Sequence, residues 1–160
     1  MVRYTTGNLL DASAEALVNT VNEVGVMGKG IALMFRERFP ENARIYMEAA
    51  RAGEVRMGRM LVAPAGGPLP KWIIHFPTKK HWRNPSRPEW VREGLVDLVR
   101  VVREHGMRSI AVPALGCGAG GLDWRVVRPM MEDAFAELPD VHVMVYEPAE
   151  AYRSAPEKGV

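Results

Sequence analysis

Residues 18–35 read VNTVNEVGVMGKGIALMF. An apolar run rich in β-branched residues passes through two asparagines and three glycines into IALMF, a segment with helical spacing. A strand that hands over to a helix in this way is the unit from which α/β folds are built. The glycines carry no Cβ to hold a ligand away from the backbone, and the helix that follows begins with unpaired N–H groups. The same arrangement recurs further on, where SIAVPA at residues 109–114 leads into LGCGAGGLDW at 115–124.

Outward from these two stretches, alternation and β-branched content predict strands over 2–5, 16–21, 59–63, 72–76, 109–113 and 141–146. Helical spacing predicts helices over 31–39, 41–52, 89–105 and 124–138, the third with Val91, Leu95, Leu98, Val99 and Val102 on one stripe. Pro88 fits the first turn of that helix and Gly106 its end, while Asp123 is a natural N-cap for the fourth, which Pro139 closes. APAGGPLP, at residues 63–70, reads as a tight turn between two strands. The alternation implies a three-layer α/β/α architecture, with a mixed, mostly parallel sheet covered on both faces.

The chain has 160 residues, 48% hydrophobic and 25% charged, which suits one domain with a full core. We expect that domain over 1–150, with 151–160 as a tail or the start of a linker to a further C-terminal region. The 21 basic and 19 acidic residues leave a net charge of +2, so there is no global basic field, and a nucleic-acid partner would need a local patch. Cys117 is the single cysteine, which excludes an internal disulfide framework and fits a reducing, cytoplasmic setting. The N-terminus carries no leader pattern, and no apolar run reaches membrane-spanning length.

Both glycine clusters follow predicted strands and run into helices, so both point to one crevice beyond the carboxyl ends of the sheet. Paired helix N-termini there favour an anion, and two facing loops suit a diphosphate. GVMGKGIA lacks the spacing and the Lys-Ser/Thr pair of a nucleotide-hydrolase loop. GCGAGG matches G-x-G-x-x-G from Gly116, but no acidic residue ends a second strand about 20 residues on, which disfavours a nicotinamide dehydrogenase. Asn19 and Asn22 suit the hydroxyls of a ribose; the alternative for either is local turn capping, which for Asn19 fits equally well.

HFPTKKHWRNPSRPEW, at residues 75–90, interleaves basic residues and histidines with Trp82 and Trp90. That is the composition of a loop that holds a nucleic-acid backbone and stacks a base, with Trp82 the better stacking candidate and Trp90 on a helix stripe. Lys79 and Lys80 are adjacent. One of them, if partly desolvated, would have a lowered pKa and could act as nucleophile or base, but most adjacent lysines are simply solvated, and the residues alone do not argue for catalysis. Cys117 has no histidine placed to activate it, and His75, His81, His105 and His142 show no ligand spacing, so neither a thiol nucleophile nor a metal is expected. Asp11, Glu23 and Asp123 are the carboxylates nearest the loops, and Asp123 reads as a cap.

GNLL at residues 7–10, EALVNTVNEVGVMGKGIALMF at 15–35 and VPALGCGAGGLDW at 112–124 together resemble the macrodomain family of ADP-ribose-binding α/β/α modules. The resemblance runs over 2–147. TKK with its basic loop is similar to the terminal ADP-ribose glycohydrolase subgroup that uses a lysine, and the nearest likeness is to antitoxin macrodomains of the DarT/DarG type. The resemblance implies an ADP-ribosyl hydrolase that removes ADP-ribose from thymidine bases of single-stranded DNA and reverses a cognate DNA ADP-ribosyltransferase toxin. It leaves two alternatives, a reader that binds ADP-ribose without turnover and a hydrolase of ADP-ribosylated protein.

Carried onto this sequence, it implies Asn8 and Leu9 at the adenine end, where many macrodomains have Asp in place of Asn8, with Tyr146 and Glu147 against the adenine. Asn22 would hold the distal ribose. Gly28, Lys29, Gly30 and Ile31, with Leu115, Gly116, Cys117, Gly118, Ala119, Gly120 and Gly121, would hold the phosphates, and Thr78 would adjoin them. The catalytic lysine falls in the Lys79–Lys80 pair, and Lys80, nearer the Trp-bearing loop, is the choice. Gly120 stands where the lysine-using human relative has Asp. No cofactor, metal or membrane is implied.

Overall fold

The computed structural model describes residues 1–148. The chain forms β1 (Val2–Thr5), a short 3-10 turn (Leu9–Asp11), β2 (Ala16–Asn22), α1 (Gly30–Arg38), α2 (Pro40–Arg51), β3 (Leu61–Pro64) and β4 (Trp72–Lys79). It continues through α3 (Pro88–Glu104), β5 (Ser109–Pro113), α4 (Trp124–Phe135) and β6 (His142–Tyr146). All the expected elements form, in one six-stranded sheet of order β1-β6-β5-β2-β4-β3. Only β3 runs antiparallel, against β4. The three-layer, mostly parallel architecture is the one the alternation implies. The domain limit near 150 and the tail 151–160 lie outside the described residues.

Side chains alternate along each central strand between two cores. Ala16 and Val18 of β2, with Ile74 and Phe76 of β4, face α3 and α4, where Leu98, Val102, Val127 and Phe135 are buried. Leu17 and Val21, with Ile73, face the other side, against Phe35 of α1 and Ala43 and Tyr46 of α2. Burial on both faces explains why these strands read as continuous apolar runs rather than as alternating ones. The α3–sheet packing is close enough that a Cβ on Gly94 would lie 2.3 Å from the Phe76 ring, so that helix approaches the sheet only because residue 94 has no side chain.

Some boundaries shift for local reasons. The helix expected to run to 138 stops at Phe135, and residues 136–138 continue in tighter turns, with Leu138 N–H donating to Phe135 O at 2.9 Å. β4 runs past 76 to Lys79. Its neighbour β3 pairs only as far as His75, so Pro77 sits where one side of β4 has no strand to receive an N–H. On the β2 side the register slips: Val21 faces Pro77, but Asn22 faces Lys79. That irregularity brings the end of β4 to the crevice where β2 gives way to the first glycine loop.

Candidate functional site

A cavity of about 930 Å³ opens beyond the carboxyl ends of the parallel strands. Its floor is Thr20, Val21 and Asn22 of β2, Thr78 and Lys79 of β4, and Pro113 and Ala114 after β5. One wall is Gly28, Lys29, Gly30, Ile31, Ala32 and Met34, the other Gly116, Gly118, Ala119 and Gly120. Gly7, Asn8 and Leu9 close one end with Tyr146, Glu147 and Pro148, and Trp82 and Val26 also contribute.

The first wall is the start of α1. Gly30, at φ +62°, makes the turn into the helix, and Leu33 N–H is the first to reach back, to Lys29 O at 3.4 Å. The amides of Gly30, Ile31 and Ala32 therefore form an open helix N-terminus, the favourable end of the dipole for an anion. In the second wall the amides of Gly118, Ala119 and Gly120 donate to no acceptor among the described residues. Cys117 N–H donates to Ala114 O and Gly121 N–H to Gly118 O, both at 3.1 Å. Within the expected run, three consecutive amides, those of Gly118, Ala119 and Gly120, are thus left open between the flanking amides of Cys117 and Gly121, which hold the loop.

Three residues expected to hold the phosphates are not among those lining the cavity. Leu115 is fully buried in the core. The Cys117 side chain turns inward to Leu115 O, and burial pushes its thiol up to about 12, so it is a neutral packing group. Gly121 takes φ +77° and spends its N–H on the turn.

Asn22 does line the cavity, but its side chain is largely committed elsewhere. Its Oδ1 accepts from Val24, Gly25 and Val26 N–H at 3.0–3.2 Å, and Nδ2 donates to Val26 O at 2.9 Å. The Tyr46 hydroxyl lies 2.7 Å from Asn22 O and 3.1 Å from its Oδ1. The expected ribose-holding amide is first of all the template of the loop, with one N–H left for a ligand. Asn8 is similar: its Oδ1 caps the 3-10 turn at Leu10 N–H, 3.0 Å away, leaving Nδ2 to face the cavity.

Asn19 neither caps a turn nor reaches the cavity. It is fully buried, with Nδ2 3.3 Å from His75 Nδ1, and its Oδ1 has no partner among the described residues. His75 Nε2 lies 2.6 Å from Asn42 Oδ1, and Tyr46 stacks on the imidazole with centroids 5.2 Å apart. Asn42 Nδ2 donates to Pro64 O, which fixes its amide so that His75 Nε2 must be the protonated nitrogen. Burial lowers the His75 pKa to about 3, so the ring is neutral. This polar chain links α2 to the floor of the site through Tyr46 and Asn22.

The two lysines part company. Lys79 lines the cavity, half-buried, and its Nζ donates to Trp82 O at 3.3 Å. Partial desolvation, and then the nearby charge of Lys29, hold its ammonium below the usual lysine range. Lys80, the lysine chosen from the sequence, is exposed and absent from the cavity lining, and its Nζ lies 5.7 Å from the Trp90 ring centroid. Lys79 is the last residue of β4, paired with Asn22 across the register slip, whereas Lys80 lies beyond the end of the strand.

The neighbouring carboxylates have structural tasks. Glu23 accepts from Met57 N–H at 2.8 Å, Asp11 pairs with Arg38 at 3.3 Å, and Asp123 caps α4 at Arg125 N–H as expected. Gly120 cannot carry a side chain without rearrangement: a Cβ there would lie 2.5 Å from Gly116 O and 2.9 Å from Ser86 Cβ. Ser86 itself ties this loop to β4, since its N–H donates to Gly120 O at 2.9 Å and its hydroxyl to Thr78 O. Among the described residues no group of His, Cys, Asp and Glu could hold a metal, and no helix is long and apolar enough to cross a membrane.

Comparison with known proteins accords with this geometry. The family model described as "Macro domain" matches residues 18–131. A Thermus aquaticus protein named DNA ADP-ribosyl glycohydrolase is 54% identical over 152 residues, covering 94% of this chain and 42% of its own length. The macrodomain of Mycobacterium tuberculosis DarG superposes with a TM-score of 0.92 at 53% identity, over 93% of this chain and 99% of that one. Thermosipho africanus DarTG, solved in complex with ADP-ribose, gives a TM-score of 0.85 at 33% identity over 93% of this chain and 42% of that one. A relative from the same organism, 34% identical over 90% of this chain and 41% of its own length, is named a DNA ADP-ribosyl transferase–DNA ADP-ribosyl glycohydrolase fusion protein. The chain thus spans less than half the length of these curated relatives.

Proposed function

The chain belongs to the Macro domain family, and from that premise we propose that it is a hydrolase that releases ADP-ribose from thymidine bases of single-stranded DNA. The observation that carries this reading is a partly desolvated lysine, Lys79, at the edge of a cavity whose two walls offer unpaired amides. The diphosphate lies between the α1 N-terminus and the amides of Gly118, Ala119 and Gly120. Asn8, Leu9, Tyr146 and Glu147 take the adenine, and the distal ribose lies over Asn22 with its anomeric carbon toward Lys79. The relatives named as DNA ADP-ribosyl glycohydrolases support DNA as the carrier of the modification. The fusion relative supports a DNA ADP-ribosyltransferase toxin as the functional partner, with this chain as its antitoxin.

Lys79, rather than Lys80, is the catalytic lysine in this reading. Its lowered pKa gives Lys79 a larger share of free amine than a solvated lysine has. The amine lone pair attacks the anomeric carbon as the bond to the base breaks, and the departing base keeps the electron pair and takes up a proton. In the alternative role Lys79 stays unmodified, and its charge helps the base leave while water attacks. Steric exclusion of any side chain at Gly120 favours the second, since no carboxylate can stand there to resolve an adduct.

The test is release of ADP-ribose from modified single-stranded DNA and from modified protein. Lys79→Ala should cost about 100-fold or more in kcat, and Lys80→Ala far less. If Lys79 attacks, the pH profile of kcat/KM should rise and level off below the usual lysine range of about 10.4, because the amine must first lose its proton; if its charge helps the base leave, activity should instead fall as pH rises through that same lowered range. An adduct trapped by borohydride selects attack by the amine, and turnover with nothing trapped selects the second role. Binding of ADP-ribose with no release from either substrate would make the chain a reader, and release from protein alone would reassign the substrate.

A further inference from the structure

Beside Lys79 the rim of the cavity carries a second surface that the ADP-ribose groups leave unused. Lys79 Nζ donates to Trp82 O, so the chain turns at the cavity edge and presents Trp82, 39% exposed, at the mouth. The Arg83 guanidinium lies 4.7 Å from the Trp82 ring centroid. Next to them, Lys80 and Arg87 both lie over Trp90, at 5.7 and 5.5 Å. Among the described residues none of Lys80, Arg83 and Arg87 forms a salt bridge, whereas Arg38, Arg44, Arg100 and Arg128, elsewhere on the surface, all pair with carboxylates. Cations laid over aromatic rings and kept away from carboxylates remain available to phosphates.

We propose that this rim binds the single-stranded DNA flanking the modified nucleotide. A neighbouring base stacks on the Trp82–Arg83 pair, and Lys80, Arg83 and Arg87 contact the backbone phosphates. The inference rests on the reading that the base departs at the Lys79 end of the cavity, because the strand bearing that base must then leave across the adjoining rim. A single strand fits this surface because its bases are free to stack on a side chain, whereas those of a duplex are already stacked on each other.

The experiment compares kcat/KM for a short oligonucleotide carrying one ADP-ribosylated thymidine with kcat/KM for ADP-ribosylated thymidine alone. The unmodified chain should prefer the oligonucleotide, and that preference should fall about tenfold in Trp82→Ala, as expected for loss of one base–aromatic stack, mainly through KM. Trp82→Phe should keep it. With three phosphate contacts the preference should decline with salt at a log–log slope of about −2, and Arg83→Ala with Arg87→Ala should flatten that slope by about 1.4. Equal turnover of the two substrates, or a preference that survives both sets of variants, would overturn the surface while leaving the hydrolase reading intact. Release from neither substrate would sink the hydrolase reading instead. The surface would then stand or fall on quenching of tryptophan fluorescence by an unmodified strand, a signal that must largely vanish in Trp82→Phe.

Discussion

The two glycine loops bring amides to the same cavity, but the first, residues 22–30, is shaped by a side chain and the second, residues 114–122, by the absence of side chains. In the first, Asn22 Oδ1 gathers three backbone N–H groups, and Tyr46 holds Asn22 from below. In the second, Gly116 and Gly120 let the loop close on itself and on Ser86 and Leu122: a Cβ on Gly116 would lie 2.7 Å from Leu122 Cδ1. The difference predicts different failures. A polar hub can be weakened by degrees, whereas a close-packed glycine tolerates no addition.

The largest effect should come from the second loop and should separate two glycines that the sequence presents alike. A Cβ on Gly118 meets nothing within 4 Å, so Gly118→Leu should fold normally and project into the phosphate channel. ADP-ribose affinity should fall roughly a hundredfold, equivalent to about 3 kcal/mol of overpacking, with little change in Tm. Gly120→Ala should instead lower Tm, because the added carbon meets backbone. Titration calorimetry beside thermal unfolding reads both, and a Gly118 variant that binds normally would break the assignment of this wall.

The middle effect belongs to the first loop. Asn22→Ala leaves three backbone donors and Val26 O without partners at a half-buried turn, and should cost about 2–3 kcal/mol of unfolding free energy together with affinity for ADP-ribose. Asn22→Asp keeps the acceptor but turns a carboxylate toward Val26 O, and should fall between the two. If Asn22→Ala lost affinity with stability unchanged, the residue would be a ligand group and not the template of the loop, and the contrast between the loops would disappear. Denaturant unfolding with ligand titration decides it.

The contrast also marks where the sequence stops being sufficient. Strands buried on both faces, such as Ala16-Leu17-Val18, and helices with a clear apolar stripe, such as α3, are legible because their pattern repeats over several turns or residues. Both loops are legible as turns with open amides because strand, glycine and helix N-terminus are adjacent in sequence. Which lysine faces inward is not, since it depends on the pairing slip at Val21/Asn22 opposite Pro77. Nothing local to TKK records that Lys79, not Lys80, ends β4 opposite Asn22. Leu115, Cys117 and Gly121 belong to the motif but not to the cavity lining, because motif spacing does not say which amides the loop uses to hold itself. That the Asn22 side chain gathers its own loop, and that Tyr46 from a helix over twenty residues on makes contact with it, is seen only in three dimensions.

The smallest effect tests that contact. Tyr46 is fully buried, it stacks on a neutral His75, and burial pushes its hydroxyl up to about 12, so it stays protonated and donates to Asn22 O at 2.7 Å. Tyr46→Phe keeps the ring and the stack but removes the donor. The cost should be about 1 kcal/mol, because one hydrogen bond is lost and a carbonyl is left without its partner. Since Tyr46 is not among the residues lining the cavity, any effect on turnover must pass through the position of the Asn22 loop, and it should appear as a few-fold rise in KM with kcat nearly unchanged. The same substitution should leave the second loop's contribution intact, so Tyr46→Phe combined with Gly118→Ala should be additive in binding free energy within about 0.5 kcal/mol. Strong coupling between the two would mean that the loops are one mechanical unit joined through the ligand-binding floor, and the distinction between a wall held by a side chain and a wall held by its absence would have to be given up.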